Sequence, residues 1–370
     1  MKQRHKHDKM KEHKFAKRYD MKFIHTGDIH LGAKPDDGYP WSEQREKEIW
    51  DSFKELIETI RRENIDLLLI AGDFFHRQPL VRELKEVNYL FSTIPDTQVV
   101  IVAGNHDYIK DNSQYRKFAW NDNVVGMWEE DWQEQYFPAI DTWVYGMSYH
   151  SREIPQMLGS QVKHSGKGGS HILMLHGGDD SHIPFSKADM LKSNFDYIAL
   201  GHIHRPQILK DNKMAFCGAL EPLDRNDIGA HGVIIGEINE RGIRTEFIPT
   251  AVRSYIPLDI EVDSQVTQFE LETKIRELIE TKGMDNIYTI NLSGFRNGEL
   301  HFSAKNIMEL GNVIKVIDET KPDYDVEKLY HQHKGSLIGD YIEYFAEKHS
   351  DVEKKAFYYG LNALLEAKID

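Results

Sequence analysis

"TGDIHLG", Thr26 to Gly32, directly follows the apolar run "MKFIH" at Met21–His25. A strand that leaves a core on a carboxylate and an imidazole, Asp28 and His30, and then turns on Gly32 must give those polar groups partners. An unpaired buried charge is costly. Residues i and i+2 of a strand share a side, so Asp28 and His30 can converge on one point. Taken alone, the pair is equally a surface Asp–His pair on a strand-to-helix loop. The rest of the chain decides between the two.

Outward from this stretch, short apolar runs alternate with polar amphipathic segments through the first 250 residues, the pattern of an α/β layer fold. The expected strands are "KFIHT", "DLLLIAG", "QVVIVAG", "TWVYGMSY", "HILMLHG", "YIALGH" and "GVIIGEI". Between the first two, "SEQREKEIWDSFKELIETIRREN" places Ile49, Phe53, Leu56, Ile57 and Ile60 at helical spacing, a face that covers a sheet. Near Arg253 the pattern changes to a small β-α-β-α-β unit, "YIPLDIEV" to "NVIKVI", and the chain closes on helices. Leu337, Ile338, Tyr341, Ile342 and Phe345 form one apolar stripe there, and Phe357, Leu361, Leu364 and Leu365 another.

Five of the strands end alike. "FIHTGDIH" ends in Asp28 and His30, and "LLLIAGDFFH" in Asp73 and His76. "VVIVAGNHD" ends in Asn105, His106 and Asp107, "ILMLHGG" in His176, and "YIALGHIH" in His202 and His204. The C-terminal ends of strands are where open α/β sheets place their ligands, and the flanking glycines let the backbone turn and pass close to one. Without metal, such a cluster buries repelling carboxylates and half-satisfied imidazoles. One or two divalent cations resolve the conflict. Mixed nitrogen and oxygen donors with no thiolate point to Mn, Fe or Zn rather than Ca or Mg. His150, His164, His171, His182 and His231 belong to no such motif and read as surface or packing residues, while Arg77, Arg82, Tyr108 and Arg225 flank the motifs, where an arginine could pair with phosphate oxygens.

Composition bounds the function. The 370 residues are 40% apolar and 29% charged, enough for two or three domains of a globular protein. No run approaches the roughly 18 apolar residues of a membrane span, and residues 1–20 lack the apolar stretch of a secretory leader. The single cysteine, Cys217, rules out an internal disulfide and suits a reducing cytoplasm. Residues 1–20 carry eight Lys/Arg against three acids, a net +5, so a chain total of −14 leaves −19 on the other 350 residues. A body that acidic binds no nucleic acid by charge alone; bound cations would reverse the sign locally. The basic tail reads as disordered, and as an upstream extension of a start at Met21 or a phosphate-binding arm.

The order D-x-H, GD-x-x-H, GNHD, strand-end His and GH-x-H resembles that of the calcineurin-like metallophosphoesterases. Within them the chain resembles the SbcD-type DNA repair exonucleases, on "GDIHLG", Arg45 upstream of the first helix, "AGDFFH" and "CGALEPLDRNDIGAHGVIIGEI". The resemblance covers most of residues 21–370. It implies a layered metallophosphoesterase fold with β-sheets flanked by helices, a small α/β cap domain and a C-terminal helical segment: tail 1–20, phosphoesterase domain 21–252, cap 253–325 and helices 326–370. It implies two divalent ions, manganese first, with Asp28, His30 and His204 on one, Asn105, His176 and His202 on the other, and Asp73 bridging. His106 would be general acid or charge stabiliser with Asp107 orienting it. His76 would position the phosphate, or be a further ligand. The implied activity is exonucleolytic, with endonuclease activity beside it, on double- and single-stranded DNA in double-strand-break or hairpin processing. It implies a homodimer in the cytoplasm, on the nucleoid, with an SbcC-like SMC-family ATPase gripped by the C-terminal helices and no membrane association. A phosphoprotein or small-molecule phosphatase on the same fold, or a metal-free interaction scaffold, are the competing readings.

Overall fold

The computed structural model describes residues 20–159, 162–164, 166–348 and 350–367; the basic tail, apart from Asp20, lies outside them. Two compact units divide the chain, one running to Ile256 and the other from Pro257.

The first unit is built on two six-stranded sheets. Its elements are β1 (Met21–Thr26), α1 (Ser42–Glu63), β2 (Leu67–Ala71), α2 (Val81–Ser92), β3 (Gln98–Val102), α3 (Gln114–Lys117), β4 (Val124–Gly126), β5 (Gln133–Phe137) and β6 (Thr142–Gly146). They continue with β7 (Ser170–His176), α4 (Lys187–Lys192), β8 (Tyr197–Gly201), β9 (Gln207–Lys210), β10 (Met214–Phe216), β11 (Gly232–Asn239) and β12 (Gly242–Pro249). Sheet one runs β12-β11-β1-β2-β3-β4, and sheet two β5-β6-β7-β8-β10-β9. The central strands β1 to β4 are parallel, as are β6, β7, β8 and β10. Their C-terminal ends therefore share one edge within each sheet.

Three apolar layers follow from the strand alternation. Phe23, Leu67, Leu69, Val100 and Val102 of sheet one pack against Val144, Ile172, Met174, Tyr197 and Ala199 of sheet two. The opposite face of sheet one, Ile24, Leu68, Ile70, Val99 and Ile101, packs beneath Ile49, Phe53, Leu56, Ile57 and Ile60 of α1 and Leu84, Val87 and Phe91 of α2. These buried α1 residues are the stripe expected from the sequence. The outer face of sheet two packs against Ile183, Met190 and Phe195. Sheets flanked by helices are the fold class the motifs implied.

A buried ionic network ties α1 to the end of the unit. Arg45 lies within the first turn of α1, not upstream of it, and is fully buried. It donates to Glu48 Oε2 at 2.6 Å, to Glu221 Oε2 at 3.4 Å and to the Pro222 carbonyl at 2.7 Å. Glu221 also accepts from Ser52 and the Val252 N–H, and Glu48 from Arg253. Arg45 and the "CGALEPLDRNDIG" segment are thus two halves of one contact. Arg45→Met would leave the buried Glu221 without its cation while Glu48 keeps Arg253, a loss of about 3–5 kcal/mol. Thermal unfolding followed by circular dichroism should show a midpoint lower by about 10 °C or more. An unchanged midpoint would mean that the network contributes nothing net.

The second unit begins in β13 (Tyr255–Val262) and continues with α5 (Gln268–Lys282), β14 (Ile287–Asn297), α6 (Ala304–Met308), β15 (Val313–Asp318), β16 (Lys321–Asp323), α7 (Val326–Gln332), α8 (Leu337–Phe345) and α9 (Asp351–Glu366). Thr267 and Glu270 close a capping box at the start of α5, as Ser350 and Glu353 do for α9. The two C-terminal stripes turn toward each other: Ile338, Ile342 and Leu361 are buried, with Tyr341, Phe357, Leu364 and Leu365 against them. The apolar residues left outward are others, Tyr344, Val352 and Tyr359, together with Leu337. No helix among the described residues is long and apolar enough to cross a membrane.

Candidate metal centre

The polar strand ends of both sheets meet. Asp28 and His30 lie just past β1, Asp73 past β2 and Asn105 past β3; His176 closes β7, and His202 and His204 follow β8. Asp28 and His30 converge for a reason other than strand pleat. Both have left-handed backbone, φ 48° and 52°, as do Asp73 at 47° and His202 at 95°. The loops are laced together: the Asp28 N–H donates to the Gly72 carbonyl and the His30 N–H to the Asp73 carbonyl, each at 3.0 Å. The His202 N–H donates to Asp28 Oδ2 at 2.8 Å, joining the loops of the two sheets. Glycine is needed at two of these crossings. A Cβ on Gly72 would collide with the His176 ring, and one on Gly104 with the Asp73 carboxylate.

Two donor groups result, with Asp73 between them. Asp28, His30 and His204 bring one ligand atom each within 4.8 Å of one another, and Asp28, Asp73 and His176 do likewise. His176 Nε2 and His202 Nδ1 lie 2.9 and 3.2 Å from Asn105 Oδ1. Asp73 Oδ2 is 3.6 Å from His30 Nε2 and 3.5 Å from His176 Nε2. These groups fit divalent cations. His30 Nε2 is buried with no hydrogen-bond partner, a lone pair or proton without a use inside the protein. Asp28 and Asp73 are buried together, and the donors are nitrogen and oxygen without sulfur.

The electrostatics agree. Burial would raise the Asp73 carboxyl, but the neighbouring His176 and His30 hold it well below the usual carboxylate range. Burial opposes a charge on His176, yet Asp73 lifts it to about 9. Burial and then His176 push His202 down to about 4. Asp73 and His176 thus face each other as a favourable charge pair where a cation would sit, so metal uptake should displace the His176 proton.

His106 and His76 stand over this cluster and are exposed. The His106 N–H donates to Asp73 Oδ1 at 2.9 Å, and its Nδ1 is 3.2 Å from the His76 carbonyl oxygen. His76 Nδ1 is 3.3 Å from His30 Nδ1. Asp107 does not orient His106, contrary to expectation. It is fully buried and accepts from the Gly104 N–H at 2.8 Å, the Phe75 N–H at 3.1 Å and the Tyr115 hydroxyl at 2.6 Å. Its role is to clamp the turns that carry Asp73 and Asn105.

Three groups at the centre escape a reading of the sequence. Asp179 Oδ2 lies 2.7 Å from His202 Nε2, and Asp179 Oδ1 lies 2.8 Å from Nδ1 of His182, expected only to pack. Asp227 Oδ2 lies 3.1 Å from His204 Nδ1. The spacing "HGGDDSH" after His176 is the available signal for the first two. His150 and His171 bond outside this centre, while His231 Nε2 lies 3.1 Å from the Asp227 carbonyl oxygen, behind it. Beside it opens a cavity of about 520 Å³ lined by His76, Arg77, Gln78, Asn105, His106, Tyr108, Lys110 and Arg152. Arg77 is gripped by Glu83 at 2.8 and 3.0 Å. Among the described residues no carboxylate pairs with Lys110 or Arg152.

Residues 21–206 match the family model described as calcineurin-like phosphoesterase. The uncharacterized metallophosphoesterase YhaO of Bacillus subtilis is 29% identical over 250 residues, 62% of this chain and 60% of its own length. The DNA double-strand break repair protein Mre11 of Methanocaldococcus jannaschii is 30% identical over 221 residues, 56% of this chain and 58% of its own. The chain thus spans about three fifths of the length of these relatives. The SbcD component of the nuclease SbcCD of Staphylococcus epidermidis aligns over 94% of this chain and 99% of its own length at 21% identity.

Proposed function

The chain belongs to the calcineurin-like phosphoesterases, and on that premise we propose that it is a two-metal nuclease that hydrolyses DNA phosphodiesters. The observation that carries this reading is the position of Asp73 between two donor groups beside a cleft bearing Arg77, Lys110 and Arg152. In a body of net charge −19, that local excess of cations favours a polyanionic chain.

Asp28, His30 and His204 would hold one ion, Asn105, His176 and His202 the other, and Asp73 both; we assign manganese. Bound there, the ions would draw charge from the phosphodiester and acidify the attacking water. The chain's own groups do the rest. His106, exposed and adjacent to Asp73, gives a proton to the leaving oxygen. His76, beside it, holds a non-bridging phosphate oxygen. Lys110 and Arg152 take flanking phosphates.

Relatives named for double-strand break repair and as part of SbcCD support a role in break or hairpin processing with an SbcC-like ATPase. The outward Leu337, Tyr344, Val352 and Tyr359 on α8 and α9 are the surface we assign to that partner.

The test sets linear duplex DNA, single-stranded DNA and p-nitrophenyl phosphate side by side with purified protein and Mn²⁺. DNA should be cut, with the monoester a poor substrate. Lys110→Ala with Arg152→Ala should also flatten the salt dependence of single-strand binding by about 0.7 per cation removed. Rapid monoester turnover with DNA left intact would favour the phosphatase instead.

A further inference from the structure

His202 and His204 each turn one ring nitrogen into the centre and the other onto a carboxylate outside it. For His202, Nδ1 faces Asn105 Oδ1 at 3.2 Å while Nε2 lies 2.7 Å from Asp179 Oδ2. For His204, Nδ1 lies 3.1 Å from Asp227 Oδ2, which leaves Nε2 for the group with Asp28 and His30. Both carboxylates are anchored independently of those rings. Asp179 Oδ1 accepts from the Ser181 N–H at 2.9 Å and the His182 N–H at 3.0 Å, and lies 2.8 Å from His182 Nδ1. Asp227 Oδ2 also accepts from the Leu223 N–H at 2.8 Å. Neither is a mobile acid that happens to lie near a histidine.

We propose that Asp179 and Asp227 are positioning residues that divide the centre between them: Asp227 orients His204 for the ion shared with Asp28 and His30, and Asp179 orients His202 for the ion shared with Asn105 and His176. The proposal rests on the metal-centre reading and extends it beyond the ligands. A carboxylate that accepts the outer ring N–H selects the tautomer with its lone pair inward, stops the ring from turning and raises its donor strength. His176 lacks a carboxylate of this kind; its Nδ1 lies 2.9 Å from the Ala71 carbonyl oxygen. The loop after β7 therefore serves the second ion twice, with His176 as ligand and Asp179 as the brace of the neighbouring His202.

The experiment titrates the metal-free full-length protein with Mn²⁺, free ion being read by electron paramagnetic resonance. Wild type should take up two ions. Asp179→Asn should weaken one of them by about 10- to 100-fold, the same one that Asn105→Ala removes. Asp227→Asn should weaken the other, the one His30→Ala removes, and Asp179→Glu should recover part of the loss. Circular dichroism checks that each variant is folded. Should the partly buried Asp227 not tolerate replacement, the half-exposed Asp179 decides alone. Wild-type affinity for both ions in Asp179→Asn overturns the proposal, and so does equal weakening of both. A third ion in wild type that His182→Ala abolishes also overturns it, because Asp179, His182 and His202 would then be ligands of their own site. Wild type that binds no Mn²⁺ sinks the metal-centre reading itself, and this proposal with it.

Discussion

Asp73→Ala should leave a folded protein with no measurable DNA hydrolysis and neither ion held at micromolar Mn²⁺. The carboxylate does three things at once. Oδ2 stands 3.6 Å from His30 and 3.5 Å from His176, members of the two donor groups, and Oδ1 takes the His106 N–H at 2.9 Å. Removing it would take a ligand from both proposed ions and leave Asp28 as the one carboxylate among the proposed ligands. Affinity for each ion should fall by more than about 10²-fold, the upper range for losing even an outer partner. Asp73→Asn separates charge from shape: it keeps the volume and an oxygen for His106, yet should behave nearly as badly, because the bridge needs the charge. Elemental analysis beside a DNA-cleavage assay reads both effects. Full metal content with full activity would remove Asp73 from the centre.

His106→Ala should do the opposite, sparing binding and removing chemistry. The contact that ties His106 to Asp73 is made by its backbone N–H, which alanine retains. The exposed ring touches the buried centre only edge-on, against the His30 ring. Metal content should therefore stay near two ions per chain, while turnover falls by about 10²- to 10⁴-fold, the usual contribution of a general acid or base. Metal lost to the degree seen in Asp73→Ala would make His106 a ligand, and the proton to the leaving oxygen would need another source.

The sequence disclosed most of the sheet framework because buried parallel strands are continuous apolar runs. β2, "LLLIA", is buried at every position and can hardly be read otherwise. β9, "QILK", lies mostly exposed at the edge of sheet two, and β4 is three residues long, so neither carries a pattern to read. β12 is a half-exposed edge strand with charges along it. In the centre, the polar residues were legible because each follows an apolar strand. Their geometry was not, since a left-handed residue leaves no mark on composition when it is Asp or His. Asp179 and Asp227 were hidden for a different reason: each meets its histidine across 23 residues of sequence. Asp107 misled through proximity. Its neighbour in sequence is His106, but its neighbours in space are the Gly104 and Phe75 amides and the Tyr115 hydroxyl.

Nine described non-glycine residues have left-handed backbone, and four of them are Asp28, His30, Asp73 and His202. Sparsely populated conformations of this kind cost of order 1 kcal/mol or more each. For descendants of this chain, that cost gives molecular decay a direction. A duplicated copy released from selection for chemistry would shed that cost by admitting glycine at His30 or His202, whose side chains take no backbone N–H, since glycine enters that region freely; at Asp28 and Asp73 it would give up the His202 and His106 N–H bonds in exchange. Its retirement would begin at the imidazoles, and a lost histidine would be hard to regain because the reversal would have to take up the backbone strain again.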